Sequence, residues 1–184
     1  MYVKKTGPKL RSKLSNLKYI SLGEKFGHSR PCGKPRCKCC PLMSGNDFIL
    51  KGTSKLKTAK GNCKTRFICY CARCKICSKK YVGKSTQQCN CRVNGHRDCL
   101  RQYVNCRGEV DLTEDNDRFS LALHLDKEHN IRSLTGLDNF EFTILEKCTP
   151  RNLDLKEHLW IQKLRTITPY GLNLNSPLGI PLLV

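Results

Sequence analysis

Tyr70 and Tyr81 stand eleven residues apart, each inside a short run of β-favouring residues, and Arg92 and His96 follow at a spacing of four. Positions i and i+4 share one face of a helix, so this guanidinium and imidazole would point the same way. The guanidinium could hold a non-bridging phosphate oxygen while the imidazole bonds or relays a proton. Further along, Glu157 is flanked by Leu153, Trp160, Ile161 and Leu164, which puts a carboxylate within the apolar stripe of a helix. Such a carboxylate needs a partner, and one acid with waters and a substrate phosphate is a common way to hold Mg²⁺. Two phenols, an arginine, a histidine and a carboxylate are together suited to cutting a phosphodiester. A phenol with an ordinary pKa of about 10 is a poor base near neutrality. Arg92 and Lys84 can supply the cationic field that the tyrosines would need.

The elements that must position these groups can be read from the local pattern. Residues 66–71 and 79–83 are β-favouring and bounded by turn formers, which predicts two neighbouring strands. Ser85 or Thr86 is placed to cap a helix running to about Val104. Phe140, Phe142 and Ile144 at period two predict a third strand over 139–147, and the apolar spacing over 153–164 predicts the last helix. The expected fold class is α+β, a short central antiparallel sheet flanked by helices. Residues 51–64, with glycines and serine among lysines, read as an exposed connector or a DNA-contacting loop.

Fourteen cysteines suit either disulfide staples or metal sites, and spacing favours metal. Cys74 and Cys77 form a C-x2-C turn between the two tyrosines, and His124 and His129 stand downstream with four residues between them. Two cysteines with two histidines make a tetrahedral zinc set, with Cys71 as a competing thiolate. A second cluster spans Cys32 to Cys40. Because adjacent Cys39 and Cys40 do not readily ligate one ion, the favoured set is Cys32, Cys37 and Cys40 with Cys63, and His28 competes for the fourth place. Residues 1–30 carry lysines but no apolar core of a secretory signal, so a reducing compartment is expected, nuclear or cytoplasmic, with the nucleus preferred.

Charge names the partner class. Lys and Arg number 34 against 15 acids, a formal net charge of +19. Between Phe48 and Arg97 lie thirteen Lys or Arg and no acid, so the basic half should face phosphate. Lys79, Lys80, Lys84 and Arg97 are the candidate DNA contacts. No apolar run approaches the roughly 18 residues of a membrane span. The organisation expected is a basic arm (1–27), a Cys-rich zinc-binding linker (28–63) and one catalytic domain (64–184).

The order Tyr70, Tyr81-Val82-Gly83, Arg92, His96, Glu157 resembles the GIY-YIG nucleases, with Ile68 and Cys69 where the family has glycine and isoleucine. The inserted Cys-Cys-His-His set and the Cys-rich segment ahead of it resemble the endonucleases of Penelope-like retroelements, and the likeness covers about residues 28–175. It implies a GIY-YIG domain that nicks DNA with Mg or Mn as catalytic ion and structural zinc. It also implies a reverse transcriptase in the same polyprotein, and element RNA, as partners. In that frame Tyr70 orients the attacking water as base, and Tyr81 binds phosphate or water. Arg92 and His96 stabilise charge, Glu157 holds the metal and Asn173 supports the site. Two other readings stand beside this one: a non-catalytic zinc-dependent nucleic-acid-binding module, and a repair or mobile-intron GIY-YIG nuclease.

Overall fold

The computed structural model describes residues 27–45, 48–49, 55–56, 58–106 and 116–175. The expected basic arm, residue 27 apart, lies outside the described residues. The elements in chain order are β1 (Ser29–Arg30), β2 (Phe48–Ile49), β3 (Lys55–Leu56), β4 (Gly61–Asn62), β5 (Ile68–Cys74), β6 (Lys80–Ser85), α1 (Cys89–Asn105), α2 (Ser120–His129), β7 (Phe140–Lys147) and α3 (Leu153–Leu164). The protein is α+β.

Its centre is an antiparallel sheet in the order β6-β5-β7. Alternation decides what each face carries. Ile68, Tyr70, Ala72 and Cys74 of β5 face one way, beside Tyr81 and Gly83 of β6 and Phe140, Phe142 and Ile144 of β7. That face packs against Val93 and Leu100 of α1 and Leu121 and Leu125 of α2. Cys69, Cys71, Val82 and Leu145 turn to the other face, under Leu153, Trp160 and Ile161 of α3. The middle strand is covered on both sides, which is why β5 shows almost no polar alternation.

Both sheet edges are closed, removing the unpaired backbone that edge strands present. Leu172 donates its N–H to Lys80 O (2.9 Å) along β6. Asn173 completes that edge by accepting from Val82 N (2.9 Å) and donating to Val82 O (2.7 Å). The Cys-rich segment closes the edge of β7: Ser44 N donates to Phe142 O (2.8 Å), Ala59 N to Leu145 O (3.2 Å) and Ile144 N to Ser29 Oγ (2.8 Å). Cys39, Leu42, Ala59 and Cys63 join the core that contains Tyr70. The segment expected as a linker is therefore packed against the sheet.

Three local expectations change. The described part of the supposed exposed connector buries Thr58, Ala59 and Cys63, and β4 pairs in parallel with β1. Its lysines hide this, because Lys60 and Lys64 are exposed while Thr58, Ala59 and Cys63 beside them are buried. Neither Ser85 nor Thr86 caps α1. Gln88 holds the N-cap place with no side-chain bond, and Ser85 stays in β6 with its hydroxyl donating to Gln87 O (3.1 Å). The first amides of α1 instead donate to distant carbonyls, Cys89 N to Thr65 O and Asn90 N to Cys63 O, both 2.9 Å. Finally, α2 is a helix that no sequence signal had named.

Candidate functional site

Tyr70 leaves the middle strand opposite Gly83, in the one place on β6 where a side chain is missing. A Cβ on Gly83 would lie 2.5 Å from the Tyr70 hydroxyl and 2.9 Å from the Tyr81 ring. The glycine of Tyr81-Val82-Gly83 is thus the space the first phenol occupies. His96 and Arg92 reach the same phenol from α1: Tyr70 Oη lies 2.7 Å from His96 Nε2, and Arg92 Nε donates to Tyr70 Oη at 2.9 Å. With the phenol oxygen accepting from Arg92, the Nδ1–H tautomer of His96 would take the phenol's own proton at Nε2. The Tyr70 and Tyr81 rings are 6.4 Å apart, and His96 is edge-on to both.

Burial governs the protonation of this group. It pushes Tyr70 up to about 12, against the lowering charge of Arg92, and Tyr81 well above its ordinary value. Burial, helped by Arg92, lowers His96 to about 3, so the imidazole is neutral. Both phenols are therefore protonated near neutrality. That differs from a cationic His96, the simplest form of the expected charge stabiliser.

Glu157 projects from α3 on the other face of the sheet, where Lys84 Nζ lies 2.8 Å from Glu157 Oε2 and 2.7 Å from Asp154 Oδ1. Burial raises the Glu157 pKa against the lowering contact with Lys84, and the charges of Asp117 and Asp154 add smaller rises. The Glu157 charge in turn raises both phenols, so the carboxylate belongs to their electrostatic neighbourhood. Hard oxygen donors whose charges repel one another are the donor type that Mg²⁺ or Mn²⁺ takes. Asn173 is wholly buried and binds both backbone groups of Val82, between Tyr81 and Gly83. Of the residues nominated for DNA contact, Lys84 is paired with these acids and Lys79 with Glu128. Arg97 donates to Lys38 O at 2.8 Å, and Lys80 makes no ion pair among the described residues.

Asp117 was not anticipated. It accepts from Tyr81 Oη (3.3 Å), Ser120 Oγ (2.8 Å) and Leu174 N (3.1 Å), joining the second phenol to α2 and to the segment carrying Asn173. In the sequence it is one acid among five between Glu109 and Asp117, with nothing to mark it. Each phenol thus has its own proton acceptor, His96 for Tyr70 and Asp117 for Tyr81.

Two further groups bring four ligand atoms each within 4.8 Å of one another: Cys32, Cys37, Cys40 and Cys63, and Cys74, Cys77, His124 and His129. A tetrahedral ion with Zn–S of about 2.3 Å and Zn–N of about 2.0 Å sets S···S near 3.8 Å, S···N near 3.5 Å and N···N near 3.3 Å. The four-cysteine group has S···S separations of 3.6 and 3.7 Å. The Cys-Cys-His-His group has S···N separations of 3.6 and 3.3 Å and N···N of 3.2 Å. Both are compatible with zinc. Burial lowers the His124 pKa, keeping the neutral form that a metal requires. Its Nδ1 is buried without a hydrogen bond, 3.6 Å from Glu128 Oε1, where a supporting carboxylate belongs.

The competing ligands have other surroundings. Cys71 is turned to the α3 face, where burial raises it to about 12. Cys39 is held protonated by its contact with Cys89 and by burial. His28 is in neither group. Comparison with family models, with curated proteins and with solved structures finds no match. Among the described residues no helix is long and apolar enough to cross a membrane.

Proposed function

We propose that this chain is a metal-dependent DNA endonuclease of the GIY-YIG kind, from a Penelope-like retroelement, that nicks DNA to expose a 3′-hydroxyl. The observation that carries this reading is the contact of Tyr70 with both Arg92 and His96, set in the gap at Gly83. Arg92 takes the charge of the attacked phosphate. Tyr70, protonated near neutrality and oriented by neutral His96, positions the water, whose proton passes to solvent as it attacks. The oxygen–phosphorus bond to water forms as the bond to the 3′-oxygen breaks, and that oxygen takes up a proton from solvent, leaving a 3′-hydroxyl and a 5′-phosphate. Tyr81, held by Asp117, supports water or phosphate beside it. Glu157, with Lys84 alongside, would hold Mg²⁺ or Mn²⁺, which supplies Lewis-acid stabilisation of the leaving oxygen when bound. Zinc in the four-cysteine and Cys-Cys-His-His groups would fix the hairpin and the Cys-rich segment. A reverse transcriptase in the same polyprotein would extend the hydroxyl along element RNA, a task that belongs in the nucleus.

The test is nicking of supercoiled plasmid with and without Mg²⁺ by the zinc-loaded protein and its Glu157→Gln variant. Nicking that needs Mg²⁺ and falls at least a hundredfold in Glu157→Gln, with DNA affinity kept, is the expected result. A folded, DNA-binding protein that nicks with neither Mg²⁺ nor Mn²⁺ would reduce the chain to a zinc-dependent binding module.

A further inference from the structure

Beside the four-cysteine group lies an open pocket of about 180 Å³ lined by Lys34, Arg36 and Lys64, by the amides Gln88 and Asn90, and by the sulfur side of the metal group. Three cations line it and no acid does. All three are exposed. Lys79 and Lys84 are held by carboxylates, whereas none of these three makes an ion pair among the described residues. Four thiolates on a divalent ion carry a formal charge of −2, so two of the cations would balance that group and the third leaves the pocket positive.

The position is fixed relative to the phenol cluster. Arg97 Nη2 donates to Lys38 O at 2.8 Å, and Asn90 N to Cys63 O at 2.9 Å, which fastens both cysteine segments to α1. Gln88, Arg92 and His96 are at i, i+4 and i+8, one stripe of the chain into and along α1. Gln88 of the pocket sits at the N-cap of α1, one turn before Arg92 of the cluster, a rise of about 6 Å along the helix axis. Neighbouring phosphates of one strand rise by about 3.4 Å along the duplex axis, so the two places are within reach of one strand. The amides of Cys89 and Asn90 are already bonded, leaving the side chains to bind an anion.

We propose that the pocket of Lys34, Arg36 and Lys64 seats a backbone phosphate of bound DNA, close along the strand from the phosphate that Arg92 faces. This rests on the DNA-binding part of the reading above and not on its chemistry. The Cys-rich segment is then part of the DNA-binding surface as well as a cover for the sheet edge.

The experiment compares three zinc-loaded proteins binding a short duplex over a range of salt. They are the natural chain, the pocket variant Lys34→Gln/Arg36→Gln/Lys64→Gln, and a control of equal charge change, Lys127→Gln/Lys147→Gln/Arg151→Gln, whose exposed side chains lie elsewhere. The pocket variant should lose about tenfold in affinity at physiological salt, and its slope of log affinity against log salt should fall by about one. Zinc content and melting temperature should stay unchanged, and the control should move little. Equal losses in both variants would overturn the site in favour of diffuse charge. Lost zinc in the pocket variant would overturn it by making the cations counter-charges for the thiolates. A natural chain that binds but does not nick removes the nuclease and leaves the pocket standing.

Discussion

The hairpin β5–β6 carries two groups of opposite character. At its turn, Cys74 and Cys77 meet His124 and His129 in a set whose donor types and separations suit one kind of ion. Further along, Tyr70 and Tyr81 meet His96, Arg92 and Asp117 in a set held by packing and by single hydrogen bonds. In the first, ligand chemistry dictates the geometry and the fold has only to bring the donors near. In the second, the fold dictates the geometry: an empty place at Gly83, a wholly buried asparagine and a carboxylate from a 3-10 turn hold the phenols.

The most disruptive way to probe that contrast is to remove a ligand. Cys74→Ser or His124→Ala should cost one of two bound zinc ions, since structural zinc contributes on the order of 10 kcal/mol to folding. The hairpin should lose its cooperative unfolding transition, read by elemental analysis and thermal melting. Both groups would go together, because the ligand turn lies between the tyrosines.

Gly83→Ala should separate them. One methyl group against the Tyr70 phenol costs about 1–3 kcal/mol as overpacking, and displacing the phenol should lower nicking at least tenfold. Zinc content should not change. A fully active Gly83→Ala protein would mean that the placement of Tyr70 is not what the chemistry needs.

Acid sharpens the comparison through His96. Its folded-state pKa of about 3 lies below the ordinary 6.5, so as pH falls below 6.5 the unfolded chain takes up a proton that the folded chain refuses. Stability from this residue is complete above 6.5 and is lost as pH falls towards 3, amounting to about 2 kcal/mol at pH 5. Denaturant midpoints at pH 7 and pH 5 should differ less in His96→Gln than in the natural chain. The two cysteine and histidine groups are the same in both proteins, so the difference between them isolates His96.

Asp117→Asn is the mildest change. The amide can still accept from Tyr81, but the negative charge that raises Tyr81 and Glu157 is gone. The Tyr81 titration followed by NMR should move down, with nicking changed only a few-fold. An unmoved Tyr81 would break its link to Asp117.

Several features were legible from local pattern. The last helix runs over the residues its apolar spacing marked, 153–164, because one face had a core to meet. The converging cysteines and histidines are the favoured ones, with Cys63 rather than His28 in the place left open, since thiolates with two residues between them in a turn have few other arrangements. Asp117, the backbone capping of α1 and the covering of both sheet edges were not legible. Each joins residues distant in the chain, such as Leu174 to Asp117 and Cys63 to Asn90, and leaves no local periodicity.

By itself the sequence determined composition-bound properties and short-range geometry: a basic half, an α+β class, candidate ligand sets, and an arginine and histidine on one helix face. These follow from charge, from periods of two and 3.6, and from side-chain chemistry. Only tertiary structure decided which phenol takes which acceptor, that His96 is neutral, and that the Cys-rich segment seals the edge of β7. Those outcomes depend on burial and on partners brought together from far along the chain.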